Sequence, residues 1–386
     1  MTPSTNSTRR AERTGPFPRA LRCAETTPGY PELTPPPLRV DEPGELIAAL
    51  PAMLGFVPER SLVVAVLHGD GRGRTTAIEA VVRFDLDSVT DPHHIDQLCA
   101  CLSSICVREA ATGVLAVFVD DRRESAALEA LRIVTLLETL DAEGIVVRGA
   151  WAVPAIAAGA RFRGLLDTAT GSVADPGASM IALSHVLDGK QIRPSRGELT
   201  ALVAPDPPLC ARVGDRLGSA VTRYRAGLSA AQRAGRSTAY QRRALEWVLW
   251  QIADAASGEP RADRELAQLA ATLRDRPIRD ALYGLALGDH AEAAEQLWAQ
   301  LARATPGTDR AEAAALLGFS AYVRGDGPFA GIALAAAVAA DADHSMAVLL
   351  ETSLQSGLRP ERLRKLAHCG QQIAADLGVD IGPIRR

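Results

Sequence analysis

The stretch "SLVVAVLHGDGRGRTTAIEAVVRFDL", Ser61 to Leu86, decides how the chain begins to fold. Its middle places Gly69, Gly71 and Gly73 at alternate positions, a spacing that a phosphate-cradling loop also uses. Such a loop aims successive backbone N–H groups at an anion and leads into a helix whose N-terminus adds positive potential. Here "TTAIEAVV" follows, rich in β-branched residues, and it reads as a strand. The run "SLVVAVLH" before the glycines reads as a strand as well. The segment is therefore expected to be a β-hairpin, with Arg72 and Arg74 on its exposed tip.

Working outward, "EPGELIAALPAMLGF" has the spacing of an amphipathic helix that Pro51 kinks or ends. Downstream, "DPHHIDQLCACLSSICVREA" reads as a helix and "GVLAVFVD" as a buried strand. "ESAALEALRIVTLLETLDAEG" then reads as a helix and "IVVRGAWAV" as a strand. This order of strand, strand, helix, strand, helix, strand predicts an α/β domain in which helices cover a mixed sheet. "ARFRGLL" adds an edge strand and "DTATGSVADPG" reads as a loop. Two helices, "ASMIALSHVLDG" and "SRGELTALVA", close the domain, the second with Ser195 and Glu198 spaced as a capping box.

The composition sets broader bounds. A chain of 386 residues that is 47% hydrophobic can bury more than one core. A net charge of −4 gives no electrostatic reason to expect nucleic acid. No run approaches the ~18 apolar residues that would span a bilayer, and the polar N-terminus lacks the apolar centre of a signal peptide, so no membrane association is expected. Six dispersed cysteines, Cys23, Cys99, Cys101, Cys106, Cys210 and Cys369, read as reduced thiols and point to the cytoplasm.

Three parts follow from the patterning: a disordered tail over 1–40, an α/β domain over 41–206 and an all-helical domain over 207–386. The tail is rich in Pro, Thr, Ser and Arg; its Pro35–Pro37 run reads as a stiff linker or a polyproline ligand. Within the helical part, "STAYQRRALEWVLWQIADAASG" is long and amphipathic, with Trp247 and Trp250 on one face. Beyond it, helices stop at Gly288, Gly325 and Gly357, and each is followed within a few residues by another. Gly318, Gly325, Asp326, Ala330 and Ala337 stand at offsets that resemble a tetratricopeptide repeat, so a tetratricopeptide-like helix-hairpin array is expected.

Several of these segments together carry a family resemblance. "LIAALPAMLGFVPERSLVVAVL", "VVRFDL", "RFRGLL", "PSRGEL", "RPIRDAL" and "LLGFSAYVRGDGPFAGIALAAAVAADAD" resemble the actinobacterial domain-of-unknown-function family 4192, over about residues 42–375. The pattern at Leu54, Gly55, Phe56, Pro58, Ser61, Leu62 and Val63 is the most specific part. The resemblance implies a cytoplasmic protein of high-GC bacteria and brings no activity or catalytic residue. Family members often carry cysteines shortly after the "RFRGLL" segment. This chain keeps Pro176 and Gly177 there but reads "DTATGSVADPGAS", without them.

Candidate chemistry gathers at strand ends. Asp120 and Asp121 close a buried strand in "VFVDDRRES", where ligands of α/β sheets collect. With Asp85, and Asp87 beyond it in "RFDLD", they could hold a cation or act in acid–base work. The plainer alternative is that one caps a helix and the other pairs with Arg122, Arg123 or solvent. Trp151, Arg161 and Arg163 could contact a phosphate or a base, or could sit on a solvated edge hairpin. His93 and His94 precede Cys99, Cys101 and Cys106, but Cys101 points away from the face its two neighbours share, so buried thiols are expected rather than a metal site. Ser61 precedes its strand and is expected to bond locally at the Glu59 turn, and His185 lies in an amphipathic helix; no catalytic triad forms.

The leading expectation is a binding protein, docking a protein partner on the helical domain or a small ligand in the cleft between domains. An enzyme, hydrolase or nucleotide-acting, that uses Asp85, Asp120 and Asp121 is one alternative. A structural component of a complex is the other. No cofactor is indicated.

Overall fold

A single sheet organises the N-terminal half. Its strands are β1 (Ser61–Gly69), β2 (Thr76–Asp85), β3 (Gly113–Val119), β4 (Val147–Val153), β5 (Arg161–Gly164) and β6 (Thr170–Ser172), in the order β2-β1-β3-β4-β5-β6. The computed structural model describes residues 42–69, 76–86, 92–122, 134, 137–142, 144–187, 192–255 and 261–384. The β3–β4 pair is parallel and the other four pairs are antiparallel, so the sheet is mixed. Gly69 pairs with Thr76, which makes the opening stretch a hairpin and removes the helix a phosphate cradle needs; the glycine-rich tip lies outside the described residues.

β1 reads as a continuous apolar run because it is buried on both faces. Val63 packs in one core with Val117 and Val153, while Leu62, Val64 and Val66 pack in a second with Phe118 and Ala150. The first face is covered by α1 (Pro43–Leu54) and the second by α2 (Pro92–Arg108) together with α3 (137–142). α3 lies in the crossover that the parallel β3–β4 pair requires.

Two local expectations are corrected here. Pro51 does not end α1, one of the two outcomes expected of it: the helix runs on to Leu54 and finishes where Gly55 adopts φ 74°, a left-handed conformation open to glycine. Burial from Leu46 to Leu54 holds the last turn together although Pro51 supplies no N–H. The loop expected over "DTATGSVADPG" contains β6, whose Thr170–Ser172 backbone pairs with Arg161–Arg163. Pairing rather than side-chain pattern makes that strand. As expected, Ser195 caps the helix that follows, accepting from the Glu198 N–H at 3.3 Å.

From Pro207 the described chain is helical: α4 (Met180–Leu187) and α5 (Arg196–Ala201) lead into α6 (Pro207–Arg233), α7 (Ser237–Ala255), α8 (Asp263–Leu273), α9 (Arg276–Leu282), α10 (Ala291–Ala304), α11 (Gly307–Val323), α12 (Gly327–Ala340), α13 (Ser345–Gln355) and α14 (Pro360–Asp376). α11 is apolar on nearly every side, with Ala311, Ala313, Ala314, Ala315 and Phe319 fully buried, so it forms the centre. α10 and α12 flank it. Small residues make the α11–α12 hairpin tight: a β-carbon at Gly318 would stand 2.7 Å from Leu334, and Asp326 caps α12 by accepting from Phe329 N–H at 3.1 Å.

The sequence placed Trp247 and Trp250 on one face, but only Trp247 packs against the core, while Trp250 is 76% exposed. α14 folds back onto α9 and the 3-10 turn Tyr283–Leu287 instead of extending the array. The described residues fall in one compact unit, and the first core runs from α1 and the sheet into the helices without a break.

Candidate functional site

Register places the candidate carboxylates at one edge of the sheet. Ser61, at the start of β1, pairs with Asp85 on one side and Val119 on the other, so the ends of β2 and β3 lie two strand spacings apart, about 10 Å. Each acid there has an arginine of its own. Arg83 donates to Asp85 at 3.2 Å, Arg122 donates to both oxygens of Asp120 at 2.8 and 2.9 Å, and Arg60 lies 3.7 Å from Asp121. The Arg122 N–H also donates to Asp120 at 3.1 Å, a local turn of the plainer kind. Among the described residues, no three His, Cys, Asp or Glu side chains are grouped to hold a metal ion. Asp87 and Arg123 lie outside the described residues.

Asp120, Arg161 and Arg163 do meet, in a hollow of about 360 Å³ at the carboxyl ends of β3 and β4, with Phe118, Arg122 and Thr170 beside them. Trp151 does not join them. Ala152 pairs with Arg163, and β-strand alternation turns Trp151 to the opposite face, against the first core. Ser61 is fully buried and its hydroxyl donates to the Glu59 carbonyl at 2.6 Å, the local bond its position predicts. Cys99 and Cys106 are buried under the sheet, and burial raises the Cys106 thiol above its ordinary range. His93 and His94 fall on α2 and His185 on α4; their side chains lie outside the described residues.

A larger cavity, about 510 Å³, opens along the outer edge of β2. An edge strand leaves one row of backbone groups unpaired, and proteins cover such edges. Here α1 ends above that edge at Leu54 and Phe56, α2 runs below it through Ile105 and Arg108, and the helical region faces it with Ile332 and Leu358. The covering is incomplete, which leaves a cleft with largely apolar walls.

Two ion pairs fasten the rim. Arg359, ahead of α14, donates to buried Glu109 at the end of α2 and lies 3.3 Å from Glu79 on β2. The Arg359 guanidinium, and then Arg108 at 3.0 Å, hold the Glu109 carboxyl below the usual carboxylate range against the opposing effect of burial. Tyr322 of α11 donates to the Leu358 carbonyl at 2.6 Å and fixes the turn before Arg359.

Deeper along the edge, Arg83 donates to Ser61 Oγ at 2.7 Å and to Asp85, which fixes its guanidinium at the cleft wall. Burial lowers its affinity for its proton; Asp85 opposes that, and Arg196 across the cleft adds to it. None of Arg83, Arg108, Arg196 or Arg359 stood out in the sequence. Arg83 gave one local signal, a long cation inside the apolar run "VVRFDL".

Sheet and helices thus define a mixed α/β protein whose helical region closes a cleft over its edge strand. The chain belongs to the family described as Domain of unknown function (DUF4192), whose model matches residues 43–361. That match spans every wall of the cleft, from Leu54 to Pro360. No curated protein and no solved structure matched the chain.

Proposed function

We propose that the protein binds a small molecule in the cleft between β2 and the helical region. The observation that carries this reading is the cavity of about 510 Å³, within the range of drug-sized ligand sites, with apolar walls and a few fixed polar groups. The cytoplasm of an actinobacterium suits the reading: no disulfide joins the five described cysteines, and the family resemblance points the same way. A protein partner on the helical region is compatible with it, since the ligand site uses only the inner ends of α11 to α14.

A hydrolase or nucleotide-acting reading rests on the smaller hollow at Asp120. It is the weaker one, because both Asp120 oxygens are taken up by Arg122.

Native mass spectrometry of the protein from its own host tests the binding reading. Gly331 lines the cleft, and a β-carbon there makes only ordinary contact, 3.5 Å from Leu354, so Gly331→Trp fills the cavity without straining the backbone. The expected result is a retained small molecule that Gly331→Trp displaces. Retention unchanged in that variant, or a protein that carries no small molecule at all, overturns the reading.

A further inference from the structure

We infer that the ligand of the β2 cleft is a small amphipathic acid, its carboxylate or phosphate held between Arg83 and Arg196 and its apolar body lying along Leu54, Phe56 and Ile332. The inference rests on the binding reading above and names the class of ligand. It begins from charge. Four arginines line the cleft, Arg83, Arg108, Arg196 and Arg359, against two acids, Glu79 and Glu109.

Those two acids are already committed to Arg108 and Arg359 at the rim. Asp85 neutralises part of the charge on Arg83. Arg196 has no hydrogen bond or ion pair from its guanidinium among the described residues and lines the same cleft as Arg83. Two cations facing one cleft, with Asp85 the one acid paired to either of them among the described residues, leave a site that an anion relieves.

The geometry is prepared for that anion. Arg83 spends its Nε on Ser61 and one terminal nitrogen on Asp85, so its orientation is set before any ligand arrives. Arg196 stands at the mouth on α5 and can complete a two-guanidinium clamp of the kind that suits carboxylate or phosphate. The rest of the lining is dominated by Leu54, Phe56, Ile105, Ile332, Leu354 and Leu358, which offer nothing polar to the remainder of a ligand. A fully hydrated anion would leave those walls unused, and a neutral apolar molecule would leave the arginine pair unrelieved. An acid with an apolar body satisfies both.

Four probes of eight carbons each separate the outcomes: octanoate, octyl phosphate, octanol and octylamine, titrated calorimetrically against the full chain and against Arg196→Gln and Gly331→Trp. The expected result is that octanoate or octyl phosphate binds at least tenfold more tightly than octanol, that octylamine does not bind, and that Arg196→Gln removes the preference. Whichever acid binds better tells carboxylate from phosphate. Arg196 is exposed on a short helix, so its variant is expected to fold; an unchanged thermal midpoint checks this. Octanol binding as tightly as the acids, with both abolished by Gly331→Trp, overturns the acid class and leaves the cleft as a binding site. Binding of the acids that Gly331→Trp does not touch overturns both, and no binding by any probe overturns the acid class.

Discussion

Gly370 of α14 lies backbone to backbone against Gly284 in the turn after α9. A β-carbon at 370 would stand 2.5 Å from the Gly284 amide nitrogen, and one at 284 would stand 2.7 Å from that of Gln371. This contact lets the last helix fold back into the helical region. Backbone cannot retreat as a flexible side chain can, so Gly370→Ala is expected to destabilise the protein by about 3 kcal/mol, at the upper end for overpacking. Gly218, exposed within α6 with nothing within 4 Å of its β-position, gives the contrast. Gly218→Ala is expected to stabilise by about 0.5–1 kcal/mol through helix propensity. Urea midpoints of the two variants should move in opposite directions.

The Arg274 fork grips Asp309 at 2.7 and 2.6 Å, and the Asp309 side chain is only 4% exposed. The Asp309 carboxylate raises the affinity of Arg274 for its proton. Removing one partner of a fully buried pair costs about 3–5 kcal/mol. Arg274 is 38% exposed and solvent screens it, so Asp309→Asn is expected to cost about 2 kcal/mol. A double-mutant cycle with Arg274→Gln should return a coupling of about 1–2 kcal/mol; additivity would show that the pair contributes only shape.

How much of this could be read beforehand depended on how local the cause was. The β1–β2 hairpin and the buried core strands were legible because β-branched runs and glycine turns act over a few residues. The end of α1 was less legible because two stop signals compete there, Pro51 and the left-handed Gly55 four residues on, and burial decides for the glycine. β6 was invisible because "TGS" carries no alternation and exists only through its neighbour β5. At the site, the sequence offered Asp120 and the Arg161–Arg163 segment as separate candidates; that they line one hollow follows from the pairing of β4 with β5, which no local pattern shows. The larger cleft was out of reach: Glu79 and Arg359, which close it, are joined across a separation of 280 residues.

The bridge between Arg359 and Glu109 makes the rim of the cleft sensitive to acid. The Glu109 carboxyl is held below its ordinary value of 4.5, first by the Arg359 hydrogen bond. A depressed carboxylate contributes stability that is fully present above the unfolded value and is lost as pH falls through the folded one. Stability is therefore expected to fall below about pH 4.5 partly through this group, and Glu109→Gln to flatten that limb. Denaturation of both proteins between about pH 6 and pH 3 gives the difference curve. A difference that grows as pH rises above 6 would assign the effect to another group.

Tyr322 ties the centre of the helical region to the cleft through one hydroxyl, which donates to the Leu358 carbonyl at 2.6 Å. Burial pushes that phenol up to about 12, so it stays a donor across the working pH range. Tyr322→Phe keeps the ring, which is almost fully buried, and removes only the donor. A lost hydrogen bond of this kind costs about 1 kcal/mol, with part of the loss recovered if water reaches the freed carbonyl. The turn Ser356–Arg359 then loses its anchor to α11, and with it the fixed position of Arg359 over Glu109. Hydrogen exchange at Gly357 and Leu358 is expected to quicken by up to about fivefold relative to the interior of α11, because about 1 kcal/mol of local opening energy corresponds to that factor. Equal acceleration throughout α11 would mean that the bond supports the whole helical region rather than the rim of the cleft.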